Sequence, residues 1–173
     1  MGKLILVAGP NGSGKSAFAE DLIARREGDR WYIATMIPQT EENHLRIERH
    51  RQRRAGLGFH TLEVPGGLSE VSLPHPAVVL LEDVSNLLAN VWFNEHGTAE
   101  AVFADIMTLA ERCALLVAVT IAGLVPEDYA DAETAGYVAA LRLLNDRLLA
   151  AADAAVQMEE GAPRTLKGDL ESC

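Results

Sequence analysis

The chain has 173 residues, 49% of them hydrophobic and 23% charged, with a formal net charge of -10. That is one ordinary domain, 1–173, able to bury its own core; it is not a disordered chain, its acidity argues against general nucleic-acid binding, and its apolar runs are far too short to span a membrane. Two cysteines imply no disulfide framework, and no apolar leader precedes the first strand-like run, so a reducing, cytoplasmic setting is expected.

Lys3 to Ala8 reads as a buried strand, Gly9 to Ser16 as a glycine-rich turn, and 15–26 as a helix with Phe18, Leu22 and Ile23 on one face. A short strand is predicted over Trp31 to Thr35, a charged helix over 40–55 and a third strand over Phe59 to Val64. Residues 65–76, with two glycines and three prolines, read mostly as loop. A buried strand over Ala77 to Leu81 ends in Glu82 and Asp83, and helices follow over 84–95 and 98–112. Cys113 to Thr120 is a further buried strand opened by a buried cysteine, 122–129 a loop, and 131–152 a long Ala- and Leu-rich helix. Residues 155–158 and 164–166 are expected to form a last hairpin, and the terminal Cys173 to fray. Apolar strands alternating with helices predict an α/β fold, a P-loop NTPase-like, mostly parallel sheet with helices on both faces. Ligands of such sheets sit at the carboxyl ends of the strands.

Three features carry chemistry. Gly9, Pro10, Asn11, Gly12, Ser13, Gly14, Lys15 and Ser16 match the phosphate-binding pattern G-x-x-x-x-G-K-[ST] between a strand and a helix. Gly12 and Gly14 allow the backbone to aim several N–H groups at one anion, and the helix start adds its positive end. Lys15 can reach the β- and γ-phosphates of a bound nucleoside triphosphate, and the Ser16 hydroxyl can ligate Mg2+. Glu82 or Asp83 stands where a second metal-side carboxylate belongs; Asp83 also suits a helix N-cap, so Glu82 is favoured for the metal.

Residues 46–54 are the third feature, five arginines against one glutamate in an acidic chain. Helical spacing puts Arg46, Arg49, His50 and Arg53 on one face. A solvated helix face is one reading of that run. Phosphate handling is the other: guanidinium groups clamp phosphoryl oxygens while an imidazole acts as nucleophile or acid–base group. His60, His75 and His96 lack such company, and His44 is left open.

In order along the chain, the P-loop, Tyr32-Ile33-Ala34-Thr35, Arg46-Ile47 with His50-Arg51 and Arg53-Arg54, Leu80-Leu81-Glu82, Val125-Pro126-Glu127 and Asn145 with Arg147-Leu148 resemble the bifunctional cobinamide kinase / cobinamide-phosphate guanylyltransferase family of cobalamin biosynthesis. The resemblance implies phosphoryl transfer from GTP or ATP to adenosylcobinamide. It further implies transfer of GMP to adenosylcobinamide phosphate through a His-GMP intermediate on His50; Lys15, from its place in the phosphate loop, is the other catalytic candidate. The residue patterns place Arg46, Arg49, Arg53 and Glu82 in the nucleotide site with Mg2+ on Ser16 and Glu82, and the resemblance adds a corrinoid substrate and a trimeric assembly. Departures lie on the acceptor side. The run 120–126 is shorter and lacks the family's Asn-Glu pair, 138–142 replaces its R-D-x-x-G, and Ala55 stands for a proline. A small-molecule kinase with another acceptor, or a nucleotide-binding protein without catalysis, are the alternatives these departures raise.

Overall fold

Side-chain alternation decides the layers. Along Lys3–Gly9, Leu4 and Leu6 face one hydrophobic cluster while Ile5 and Val7 face another. A strand apolar on both faces must be covered on both, and that fixes the architecture. The computed structural model describes residues 2–173. In chain order the elements are β1 (Lys3–Gly9), α1 (Lys15–Ala24), β2 (Asp29–Ala34), α2 (Glu41–Arg54), β3 (Phe59–Glu63), β4 (Ala77–Glu82), α3 (Val84–Glu95), α4 (Ala99–Arg112), β5 (Leu115–Ile121), α5 (Ala132–Ala151), β6 (Ala154–Glu159) and β7 (Ala162–Lys167).

The strands form one seven-stranded sheet in the order β3-β2-β4-β5-β1-β6-β7. All neighbours are parallel except β6 and β7, which close the edge as an antiparallel hairpin. On one face α3, α4 and α5 cover Leu4, Leu6, Val79, Leu81, Leu116 and Ala118. On the other, α1 covers Ile5, Val7, Val78, Leu80 and Val117. Each such fully buried aliphatic side chain stabilises the fold by roughly 1.5–3 kcal/mol relative to exposure. No helix is long and apolar enough to cross a membrane among the described residues.

Several boundaries differ from the sequence reading for identifiable reasons. The second strand begins at Asp29 and stops at Ala34. Thr35 lies beyond it because its hydroxyl exchanges hydrogen bonds with the Asp83 backbone, accepting from N at 2.8 Å and donating to O at 2.7 Å. Cys113 is buried as expected but ends α4 instead of opening β5. The first helix stops at Ala24, and Arg26 turns its guanidinium to the carbonyls of Leu170 (2.5 Å) and Cys173 (3.1 Å). The C-terminus is therefore tied to the sheet face and not frayed; Leu170 and Cys173 pack on the second cluster.

α2 is the exception to the packing rule. Its only buried residue is Arg54, and Leu45 stands 54% exposed. Polar anchors, not an apolar stripe, seat this helix on the domain.

Candidate functional site

The phosphate loop follows β1 directly. Gly12 (φ 73°) and Gly14 (φ 88°) adopt the left-handed backbone that other residues resist, and Gly14 is the N-cap of α1. The loop is braced from within by Ser13 N–H donating to Pro10 O at 3.3 Å. The β6–β7 turn braces it from outside, Gly161 N–H donating to Ser13 O at 3.1 Å. Lys15 is folded back onto the loop, its ammonium donating to Pro10 O at 3.2 Å. Burial holds its pKa below the usual lysine value, against the opposing pull of Asp83 and Glu82. The Ser13 hydroxyl is buried without a partner in this cradle, a donor that an anion can satisfy.

Above the loop lies α2, started by Thr40, whose hydroxyl accepts from Asn43 N–H at 3.1 Å. The cleft between them has a volume of about 690 Å3; Lys15, Ser16, Arg46, Arg49, His50 and Arg53 line it, with Glu42 at its edge. The tertiary structure thus gathers in one cleft the loop and the basic face that the sequence holds far apart. His50 is half-buried there. Burial, then Arg53, Arg46, Arg54 and Arg49, push its pKa from 6.5 down to about 4, so the imidazole is neutral at any ordinary pH. The arginines differ in what they touch. Arg53 forms a two-pronged pair with Glu20 of α1, at 2.7 and 3.1 Å, and Glu20 is only 1% exposed. Arg54 lies over the Tyr32 ring, 3.4 Å from its centroid, and Arg51 pairs with Glu63 at the surface. Arg46 and Arg49 take part in no ion pair among the described residues.

At the end of β4 the two acids have separate tasks. Asp83 caps α3, its carboxylate accepting from Asn86 N–H at 2.7 Å. Glu82 turns toward the loop, one oxygen accepting from the Ser16 hydroxyl and the other from the Tyr32 hydroxyl at 3.1 Å. Burial, then Asp83 and Glu20, raise the Glu82 pKa to about 7. The donor set suits Mg2+: hard oxygens from a P-loop hydroxyl and one carboxylate, with room for phosphate oxygens. No three His, Cys, Asp or Glu side chains form a metal-holding group among the described residues.

A second cavity, about 530 Å3, opens beside the first between α2 and the ends of β2, β3 and β4. Tyr32, Ala34, Met36, Leu45 and Ile47 give it an apolar wall, and Arg46 and His50 line both cavities. His44 faces this second cavity; His60 stacks on Trp31 and His96 ends α3, away from both. Sequence reasoning missed Tyr32, Arg54 and Glu20 as site residues. The signals were available: Tyr32 alternates with Trp31 onto the face that carries α1, and Glu20 stands one helical turn beyond Ser16.

At the carboxyl end of β5 the polar groups are spent internally. Thr120 hydroxyl donates to Asn145 Oδ1 at 2.6 Å, Asn145 Nδ2 donates to Ile121 O at 3.0 Å, and Ile121 N–H donates to Ser85 Oγ at 2.8 Å.

The model of the family described as cobinamide kinase / cobinamide phosphate guanyltransferase matches residues 5–166. No curated protein matches the sequence. Among solved structures, one described as a prototypical ATPase from the type III secretion system of pathogenic bacteria superposes with a TM-score of 0.59 at 10% identity. The match covers 95% of this chain and 57% of that one, and at such identity it shows a shared fold alone.

Proposed function

The chain belongs to the cobinamide kinase / cobinamide phosphate guanyltransferase family, and from that premise we propose that one nucleotide cleft carries out two transfers in cobalamin biosynthesis. In the first, the loop amides and Lys15 hold the β- and γ-phosphates of GTP or ATP. The acceptor hydroxyl of adenosylcobinamide attacks the γ-phosphorus as the bond to the β-phosphate oxygen breaks, and the hydroxyl proton is released to solvent. In the second, an imidazole nitrogen of His50 attacks the α-phosphorus of GTP and pyrophosphate leaves. A phosphate oxygen of adenosylcobinamide phosphate then displaces the imidazole, releasing His50 as it was.

The observation that carries this reading is His50, a neutral imidazole ringed by arginines and facing the phosphate loop across one cleft. Only an unprotonated ring has a lone pair to attack with; burial and then the arginines keep it so, and the arginines also stabilise charge on the attacked phosphate. Arg46 and Arg49, with no carboxylate partners among the described residues, suit phosphate oxygens; Arg53 shapes the site while bound to Glu20. Mg2+ on Ser16 and Glu82 would neutralise charge on the phosphates when bound. The trimer that the resemblance implies belongs to the same reading and is checked by sedimentation.

Incubation with α-labelled GTP and Mg2+ tests the proposal. The expected result is a protein-bound label, acid-labile and base-stable, that His50→Ala abolishes, together with phosphorylation of cobinamide that Lys15→Ala abolishes. Absence of both overturns it. The closed hydrogen bonds of Thr120, Ile121 and Asn145 favour a second reading, a kinase with another acceptor. Transfer to other hydroxyl compounds, with none to cobinamide, would establish that one instead.

A further inference from the structure

Glu82 is a nearly buried carboxylate whose two oxygens face two different donors, and only one of them belongs to the phosphate loop. The other is Tyr32, one strand away. Ala34 lies opposite Glu82 in the β2–β4 ladder, so Tyr32 occupies the diagonal position on the same face. Across neighbouring strands a diagonal pair is within reach only of long side chains, and tyrosine spans the gap with its hydroxyl at 3.1 Å. The ring itself has no freedom. Tyr32 is 4% exposed, Phe59 meets its ring edge-on, and the Arg54 guanidinium covers its face.

We propose that Tyr32 is the positioning residue of this site, its hydroxyl fixing Glu82 so that the opposite oxygen faces Ser16, with Arg54 of α2 clamping the Tyr32 ring. The inference rests on the reading that Glu82 serves the metal. The choice of donor has a physical logic. A cation hydrogen-bonded to Glu82 would neutralise the carboxylate and compete with a metal ion. A phenol orients the carboxylate and leaves its charge available. Arg54 lies on the π face of the ring and not on the carboxylate. Arg54 is also the one buried residue of α2, so the helix that bears His50 and the carboxylate beside Ser16 are referenced to the same ring.

The variant Tyr32→Phe keeps the ring, its packing and the Arg54 contact, and removes only the donor. The probe is Mn2+ titrated into the full chain with a non-hydrolysable GTP analogue, read by electron paramagnetic resonance, beside nucleotide affinity without metal and the melting temperature. Tyr32→Phe is expected to weaken Mn2+ binding roughly ten-fold, as loss of a partner that orients a metal ligand does. Metal-free nucleotide binding stays unchanged. Arg54→Met, which frees the ring but keeps the hydroxyl, is expected to give a smaller loss in the same direction. If Glu82→Gln weakens Mn2+ binding and Tyr32→Phe does not, the positioning role is overturned while the metal reading stands. If neither variant changes Mn2+ binding, both are overturned. If Tyr32→Phe melts early yet binds Mn2+ as the parent does, Tyr32 is packing alone and the inference is again overturned.

Discussion

Titration of His50 separates a nucleophile kept ready from a surface imidazole. The perturbation is proton concentration, and the magnitude comes from burial first and then from four arginines, which together hold the pKa at about 4 in place of 6.5. At about pH 5.5 a ring with the lower value is more than nine-tenths neutral, whereas an unperturbed ring is about one-tenth neutral. The assay is a nitrogen-15 NMR titration of the histidine side chains in the nucleotide-free protein, with His50 identified as the resonance missing from His50→Ala. The expected midpoint is about 4. Removing one nearby charge, as in Arg46→Gln, leaves less repulsion against the imidazolium, so the midpoint must rise toward the ordinary value. A midpoint between about 6 and 7 in the parent protein, or no upward movement in Arg46→Gln, would refute the electrostatic argument.

Other outcomes follow from the same geometry. Lys15→Ala is expected to abolish measurable nucleotide binding by calorimetry while circular dichroism stays as in the parent, because the ammonium contributes to the cleft and its removal leaves the loop backbone in place. Glu20→Ala removes the buried partner of Arg53; since the Arg53 side chain is 41% exposed, the cost is set at roughly 1–2 kcal/mol in denaturant unfolding, with faster amide exchange along α2. Glu82, with its pKa raised to about 7, is about half protonated at neutral pH, and metal binding selects the carboxylate. Binding of Mg2+ with nucleotide at that pH should therefore release about half a proton, seen as calorimetric heats that depend on the buffer; the release should vanish in Glu82→Gln.

Most of the scaffold was legible because its determinants are local. A run such as Lys3 to Ala8 carries its own burial pattern, and Thr40, Asp83, Thr98 and Asp131 cap the helices that follow them through hydrogen bonds to backbone three residues on. The split between Asp83 as cap and Glu82 as the acid facing the loop was readable for the same reason. The errors fall where a distant group competes with the local pattern. Thr35 leaves its strand for the Asp83 backbone, and Arg26 leaves its helix for the C-terminal carbonyls.

The phosphate loop is what the sequence alone determined about chemistry, since eight consecutive residues between a strand and a helix specify their own backbone and the donors it presents. The shared face of Arg46, Arg49, His50 and Arg53 was determined the same way, by helical repeat. What each charge does was decided only by the tertiary structure. Arg53 meets Glu20 across 33 residues, Tyr32 meets Glu82 across 50 and Ser16 meets Glu82 across 66. The periodicity of one segment says which side chains share a face. It cannot say what stands opposite them, because that depends on strand order and on how the helices are laid over the sheet.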